Sequence, residues 1–173
     1  SLHDALPIYG TVQSCKLDGS DVKTVIKAGD VHTPKQLIVD QVNDKLYFCD
    51  REGLRVWRCN LEGSEYETLI QTGDWKNEKD AADPSNWCVG ISVNQKEGKF
   101  YWTQKGTSKG GEGRIFRANV QTPKGESAAN RTDIELLFSG LPEPIDIEID
   151  EDTQTLLWTD RGDPPTGNSL NSA

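Results

Sequence analysis

Histidine, clustered carboxylates and cysteine are the residue types through which this chain could do chemistry, and each is sparse. The sequence holds two histidines, His3 and His32. His3 falls within Ser1-Leu2-His3-Asp4-Ala5-Leu6-Pro7-Ile8, which reads as the translation of a sequencing-library adapter and is set apart from fold reasoning. A Ser-His-Asp site would therefore have to use His32, and one histidine cannot build a histidine metal cluster. No nucleophile motif stands beside it in sequence. His32 shares its position ahead of a strand-like run with Asn86, and with Trp87, Glu143 and Asp146 these form the candidate ligand site at the mouth of a channel. The alternative for His32 is a solvated loop residue.

A second candidate is the acidic stretch 143–152, where alternation puts Ile145, Ile147 and Ile149 on one strand face and Asp146, Glu148 and Asp150 on the other. Three carboxylates on one face could hold a hard cation such as Ca²⁺, or face water or neighbouring basic side chains. Otherwise no cofactor is expected. Arg161-Gly162-Asp163 spells an integrin-type tripeptide, but Arg161 follows an aromatic tetrapeptide as Arg51 does, so a turn is expected. The glycine-rich stretch 105–113 lacks the spacing of a phosphate-binding loop and reads as a flexible hairpin connection. Asn130-Arg131-Thr132 is a glycosylation acceptor sequence, meaningful in a secreted protein.

Composition narrows the partners. With 34% hydrophobic and 27% charged residues, the chain has the make-up of an ordinary soluble β protein, and no apolar run is long enough to cross a bilayer. A formal charge of -9 disfavours unspecific attraction to nucleic acid or anionic lipid. A protein or a small molecule remains open as partner. The absence of methionine and a last stretch that breaks off inside a strand suggest an internal piece of a longer protein, so the compartment stays undecided.

What must position these residues is an internal repeat. The runs 37–40, 91–94 and 147–150 each end in Asp or Asn and are followed by the tetrapeptides Tyr47-Phe48-Cys49-Asp50, Tyr101-Trp102-Thr103-Gln104 and Leu157-Trp158-Thr159-Asp160, spaced 54 and 56 residues apart. Repeats of that length made of strand-like runs imply stacked β units. Strands are expected at 11–17 and 22–26, then 37–40, 46–50, 54–59 and 66–70, then 88–93, 100–104, 114–120 and 134–138, then 145–150, 156–160 and from 168 onward. The expected fold is all-β: a partial β-propeller of four-stranded antiparallel blades, with a sandwich of hairpins as the alternative. Cys15 and Cys59 occupy equivalent places in successive units, and face-packed sheets lie about 10 Å apart, beyond the roughly 7 Å Cα limit of a disulfide. Free, mostly buried thiols are expected.

Together with Ile115-Phe116-Arg117-Ala118-Asn119 and Cys59-Asn60-Leu61-Glu62-Gly63, the tetrapeptides and their preceding runs resemble the YWTD propeller, the class B repeat of low-density lipoprotein receptors. The resemblance covers residues 9–173 and departs in detail, with Cys49 for Thr, Gln104 for Asp and Leu157 for the opening aromatic. It implies a six-bladed ring, of which this chain would be about half, completed by the remaining blades. It also implies that Tyr47, Asp50, Tyr101, Trp102, Trp158 and Asp160 are structural, with aromatics between blades and Asp bonded to backbone. The function it implies is a non-catalytic scaffold binding a protein or small ligand on its top face or central channel. The enzyme alternative is a metal-dependent propeller hydrolase similar to gluconolactonase, with its metal ligands outside this stretch of chain. That family's Asn or Asp ligand positions are held here by Lys35, Val89 and Ile145.

Overall fold

The computed structural model describes residues 10–173, so the adapter-like stretch and Tyr9 lie outside the described residues. The chain alternates short apolar runs with tight turns, and each run becomes a strand of an antiparallel meander. The first sheet pairs β1 (Val12–Ser14) with β2 (Lys23–Ile26). The second contains, in order, β3 (Pro34–Asp40), β4 (Lys45–Asp50), β5 (Arg55–Asn60) and β6 (Glu67–Gln71). The third repeats this with β7 (Cys88–Asn94), β8 (Lys99–Gln104), β9 (Gly113–Asn119) and β10 (Glu135–Leu141). The fourth has β11 (Pro144–Asp150), β12 (Thr155–Asp160) and β13 (Ser169–Ser172). Between β6 and β7 sit a helical turn, α1 (Glu78–Ala82), and a 3-10 turn, Pro84–Asn86.

The Asp or Asn that closes each apolar run has a local task. Asp40 accepts the backbone N–H groups of Val42 and Asn43, Asn94 that of Glu97, and Asp150 those of Asp152 and Thr153. Each carboxylate or amide thus mimics a backbone turn and folds its hairpin. At the same step along the repeat Asp44, Gly98 and Gln154 take the left-handed backbone conformation that the turn requires.

Packing between sheets follows the period of two along each strand. Leu46 and Phe48 of β4 join Trp57 and Cys59 against Val12 and Ile26 of the first sheet. Tyr47 and Cys49 point the other way, into Ile91, Phe100 and Trp102 of the third. Tyr101 and Ile115 then meet Ile147, Leu156 and Trp158 of the fourth. The third sheet is therefore packed on both faces, whereas the two strands of the first cover only part of the second. Leu37 and Val39 of β3, 48% and 41% exposed, and Leu170 of β13, 72% exposed, have no such cover.

The four cysteines are free, as the repeat positions imply, with Cys15 exposed and the other three buried. Burial pushes the Cys88 thiol up to about 12, which leaves it a small apolar side chain rather than a nucleophile. One sequence expectation fails: the alternation along β11 is broken. A register shift between Pro144 and Ile147 inserts a bulge, so Ile145 no longer shares a face with Ile147 and Ile149.

Candidate functional site

That bulge recurs at the same place in every inner strand, between Pro34 and Leu37 in β3 and between Cys88 and Ile91 in β7. A bulge re-aims the side chains within it. Lys35, Gln36, Val89 and Ile145 accordingly line one depression of about 150 Å³. Its other wall is made by Arg51, Lys105 and Arg161, the residues that directly follow β4, β8 and β12. A single kind of backbone bond locates all three. Arg51 N–H donates to the Thr33 carbonyl at 3.0 Å, Lys105 N–H to that of Trp87 at 3.3 Å, and Arg161 N–H to that of Glu143 at 2.9 Å.

Side chains link these positions around the depression. The Arg51 guanidinium lies over the Trp87 ring at 5.1 Å, and Lys105 Nζ approaches the same ring at 5.4 Å. Lys105 Nζ donates to Glu143 Oε1 at 2.9 Å, and Arg161 binds the same oxygen. Ser108 Oγ and the Lys109 N–H donate to Oε2 at 3.1 and 3.3 Å. The Glu143 side chain has no exposed surface. Burial alone would push its carboxyl up, but the bonds from Arg161, Lys105 and Ser108 prevail and hold it at about 2. The glycine-rich 105–113 connection is thus tethered through Glu143 rather than free.

No family model matches the chain. A protein of Pyricularia oryzae named low-density lipoprotein receptor-related protein 1 is 53% identical over 164 residues, which are 94% of this chain and 52% of that one. A Cochliobolus heterostrophus protein named 3-hydroxyacyl-CoA dehydrogenase-like protein LAM1 is 54% identical over 162 residues, 94% of this chain and 34% of that one. The chain spans about half and about a third of the length of these curated relatives. Among solved structures, a chain of a nidogen/laminin complex superposes with a TM-score of 0.65 at 17% identity, covering 94% of this chain and 56% of that one. A PQQ-bound aldose sugar dehydrogenase of Streptomyces coelicolor superposes with a TM-score of 0.61 at 15% identity, covering 96% and 49%. The four sheets are β-propeller blades. The depression lies among the inner strands of three of them.

The aromatic tetrapeptides are built into the contacts between blades. Asp50 accepts the N–H groups of His32 and Thr33, at 3.0 and 2.7 Å, together with the Arg55 guanidinium at 3.0 Å. Asp160 likewise accepts the Glu143 N–H at 3.0 Å and that of Gly162 at 2.8 Å. Trp102 is stacked between Phe100 and Phe116, with ring centroids 5.3 and 5.2 Å away, and Trp158 packs on Phe138 at 5.1 Å. Thr103 Oγ1 accepts the Gly90 N–H within its own blade and donates to the Ile145 carbonyl of the next, both at 2.8 Å. Cys49, at the matching position, donates its thiol to the Gly90 carbonyl at 3.3 Å.

Of the five candidate ligand residues, Trp87 and Glu143 touch the cations that line the depression without lining it themselves. His32 packs its ring on Trp75 at 4.5 Å, and Asn86 donates to the Asp80 carbonyl at 3.1 Å, so both hold the loop that carries α1. Trp87 shares that duty through its Nε1, which donates to the Ala81 carbonyl at 3.0 Å. Asp146 lies instead in a shallow groove with Glu148, Leu157, Thr159 and Leu170. In the acidic stretch, burial and the nearby Asp146 charge push the Glu148 carboxyl up, and it accepts from Ser92 Oγ at 3.3 Å. Asp150 is spent on its turn. Among the described residues no three His, Cys, Asp or Glu side chains converge on a common point. Of the Arg-Gly-Asp tripeptide, Gly162 is buried and Asp163 pairs with Lys109 at 2.7 Å.

Sequence reading missed the basic residues. Arg51 and Arg161 were assignable to turns and Lys105 to a glycine-rich connection, so each was explained separately. The available signal was register: a cation follows every tetrapeptide at the same 54- and 56-residue steps.

Proposed function

We propose that residues 9–173 belong to a six-bladed propeller of the YWTD type, and that this module binds a protein or small-molecule ligand at its axial mouth without catalysing a reaction. The observation that carries the reading is the mouth itself. Arg51, Lys105, Trp87, Glu143 and Arg161 are locked to one another across three blades, an arrangement suited to recognition by charge and aromatic contact. The similarity to a protein named low-density lipoprotein receptor-related protein 1 over almost the whole chain supports it. The Cochliobolus relative's name belongs to a chain about three times as long.

A lactonase-type hydrolase is the alternative. The ligand positions that fall within this chain are those of Lys35, Val89 and Ile145, which line the mouth, so its metal ligands would have to come from outside residues 9–173. An ammonium and two hydrocarbon side chains offer a divalent cation no ligand, and Lys35 repels it. No cofactor is part of our reading. Calcium on the acidic strand would compete with the turn that Asp150 closes. Nucleic acid and membrane insertion are not part of it either, and no described helix is long and apolar enough to cross a membrane.

Lactone hydrolysis by the full-length protein, assayed with and without a chelator, tests this reading. No turnover above the uncatalysed rate is expected. Turnover that the chelator abolishes would overturn the binding-module reading.

A further inference from the structure

We propose that the axial mouth is a receptor for a compact oxyanion, a carboxylate or phosphate group carried by a small molecule, held between Lys35, Arg51 and Arg161. This deepens the binding-module reading and rests on it. Four cations line the depression, Lys35, Arg51, Lys105 and Arg161. Two carboxylates answer them: Glu52, paired with Arg51, and Glu143, shared by Lys105 and Arg161. The mouth therefore keeps an excess of positive charge in a chain whose formal charge is -9.

Glu143 cannot redistribute that charge. Both its oxygens are occupied, by Lys105 and Arg161 on one and by Ser108 and the Lys109 N–H on the other. It acts as a staple that fixes two cations in place. Arg161 remains 63% exposed despite this bond, so donors are left over for a ligand. Lys35 makes no ion pair among the described residues, and the bulge in β3 turns it into the same depression. Val89 and Ile145 supply apolar wall between the charges, which excludes water and strengthens the attraction for an anion. A guanidinium matches carboxylate and phosphate oxygens with paired donors. The volume of about 150 Å³ suits such a group and is too small for a folded segment.

Isothermal titration calorimetry of the full-length protein with citrate and, separately, with pyrophosphate tests the proposal. At low salt at least one of the two should bind saturably, and high salt should abolish the heat; which one binds separates a carboxylate from a phosphate source. Lys35→Gln and Arg51→Gln should each weaken that binding about tenfold or more, as expected for loss of one charge-assisted contact. Lys99→Gln, which removes a cation paired with Glu135 away from the mouth, should leave it unchanged. Melting curves report folding, and if Arg51→Gln fails to fold, Lys35→Gln decides. Absence of binding by both probes overturns the proposal, as does wild-type affinity in Lys35→Gln or equal weakening in Lys99→Gln. Such failure would leave the binding-module reading standing, since only chelator-sensitive lactone turnover bears against that.

Discussion

Glu143 shows how much a single buried carboxylate can carry. Its carboxyl is held at about 2 against an ordinary value of 4.5, so the folded state binds its proton more weakly than the unfolded chain does. Its stabilisation is fully present above the unfolded value and is lost as pH falls toward about 2. A shift of this size corresponds to an order of 3 kcal/mol. Thermal melts of the wild type should therefore drop between about pH 4.5 and 2, whereas Glu143→Gln should start less stable and show a flatter acid limb. Near neutral pH that substitution leaves Lys105, 7% exposed in its side chain, without its counter-charge, and should cost about 3 kcal/mol. Trp102 is a packing residue by contrast. Trp102→Ala opens a cavity between Phe100 and Phe116 and should cost about 3 to 5 kcal/mol, read as a fall in the urea midpoint. A stable Trp102→Ala protein that had lost only ligand binding would contradict the structural role.

Between elements, the third tetrapeptide position acts as a rivet. Thr103 Oγ1 accepts a hydrogen bond from the Gly90 N–H and donates one to the Ile145 carbonyl, joining β8 to β7 and to the next blade. Thr103→Val keeps the shape and strands both buried groups, so a loss of about 1 to 3 kcal/mol in chemical denaturation is expected. Gly90 is what allows the inner strands to approach. A Cβ there would lie 2.3 Å from the Ile145 carbonyl oxygen, a backbone atom that cannot step aside. Gly90→Ala should consequently separate the blades, with poor soluble expression as the readout. The long 121–132 connection is held in another way: Arg131 is buried, donating to the Leu69 carbonyl at 3.1 Å and to Asp133 at 2.7 Å. No periodic pattern announces this anchor, and in the sequence Arg131 stands out only as the middle residue of the Asn130-Arg131-Thr132 acceptor.

For the molecule as a whole, the third blade is covered on both faces, whereas the inner strand β3 of the second blade and the last blade are not. Leu37 and Val39 on one side and Leu170 on the other are exposed apolar residues on pleated sheets, a surface that recruits further strands or further copies. Residues 9–173 prepared alone should therefore associate, and sedimentation velocity should show species heavier than a monomer. A monodisperse monomer with a single cooperative melt would count against a ring completed by further blades.

The sequence by itself determined the blades. A period of two within strands and of 54 and 56 residues between them is local information, because each apolar run must bury itself against the next and each closing Asp or Asn needs only its own turn. Free thiols and the order of strands followed from the same register. The mouth was decided only by tertiary structure. A one-residue bulge in each inner strand is not written in hydrophobicity, yet it sets where Lys35, Val89 and Ile145 point. Whether Arg51, Lys105 and Arg161 are solvated turn residues or one charged cluster depends on three chain segments meeting at an axis. Coulomb energy falls with distance through space rather than along the chain, so their combined charge exists only once the blades have packed.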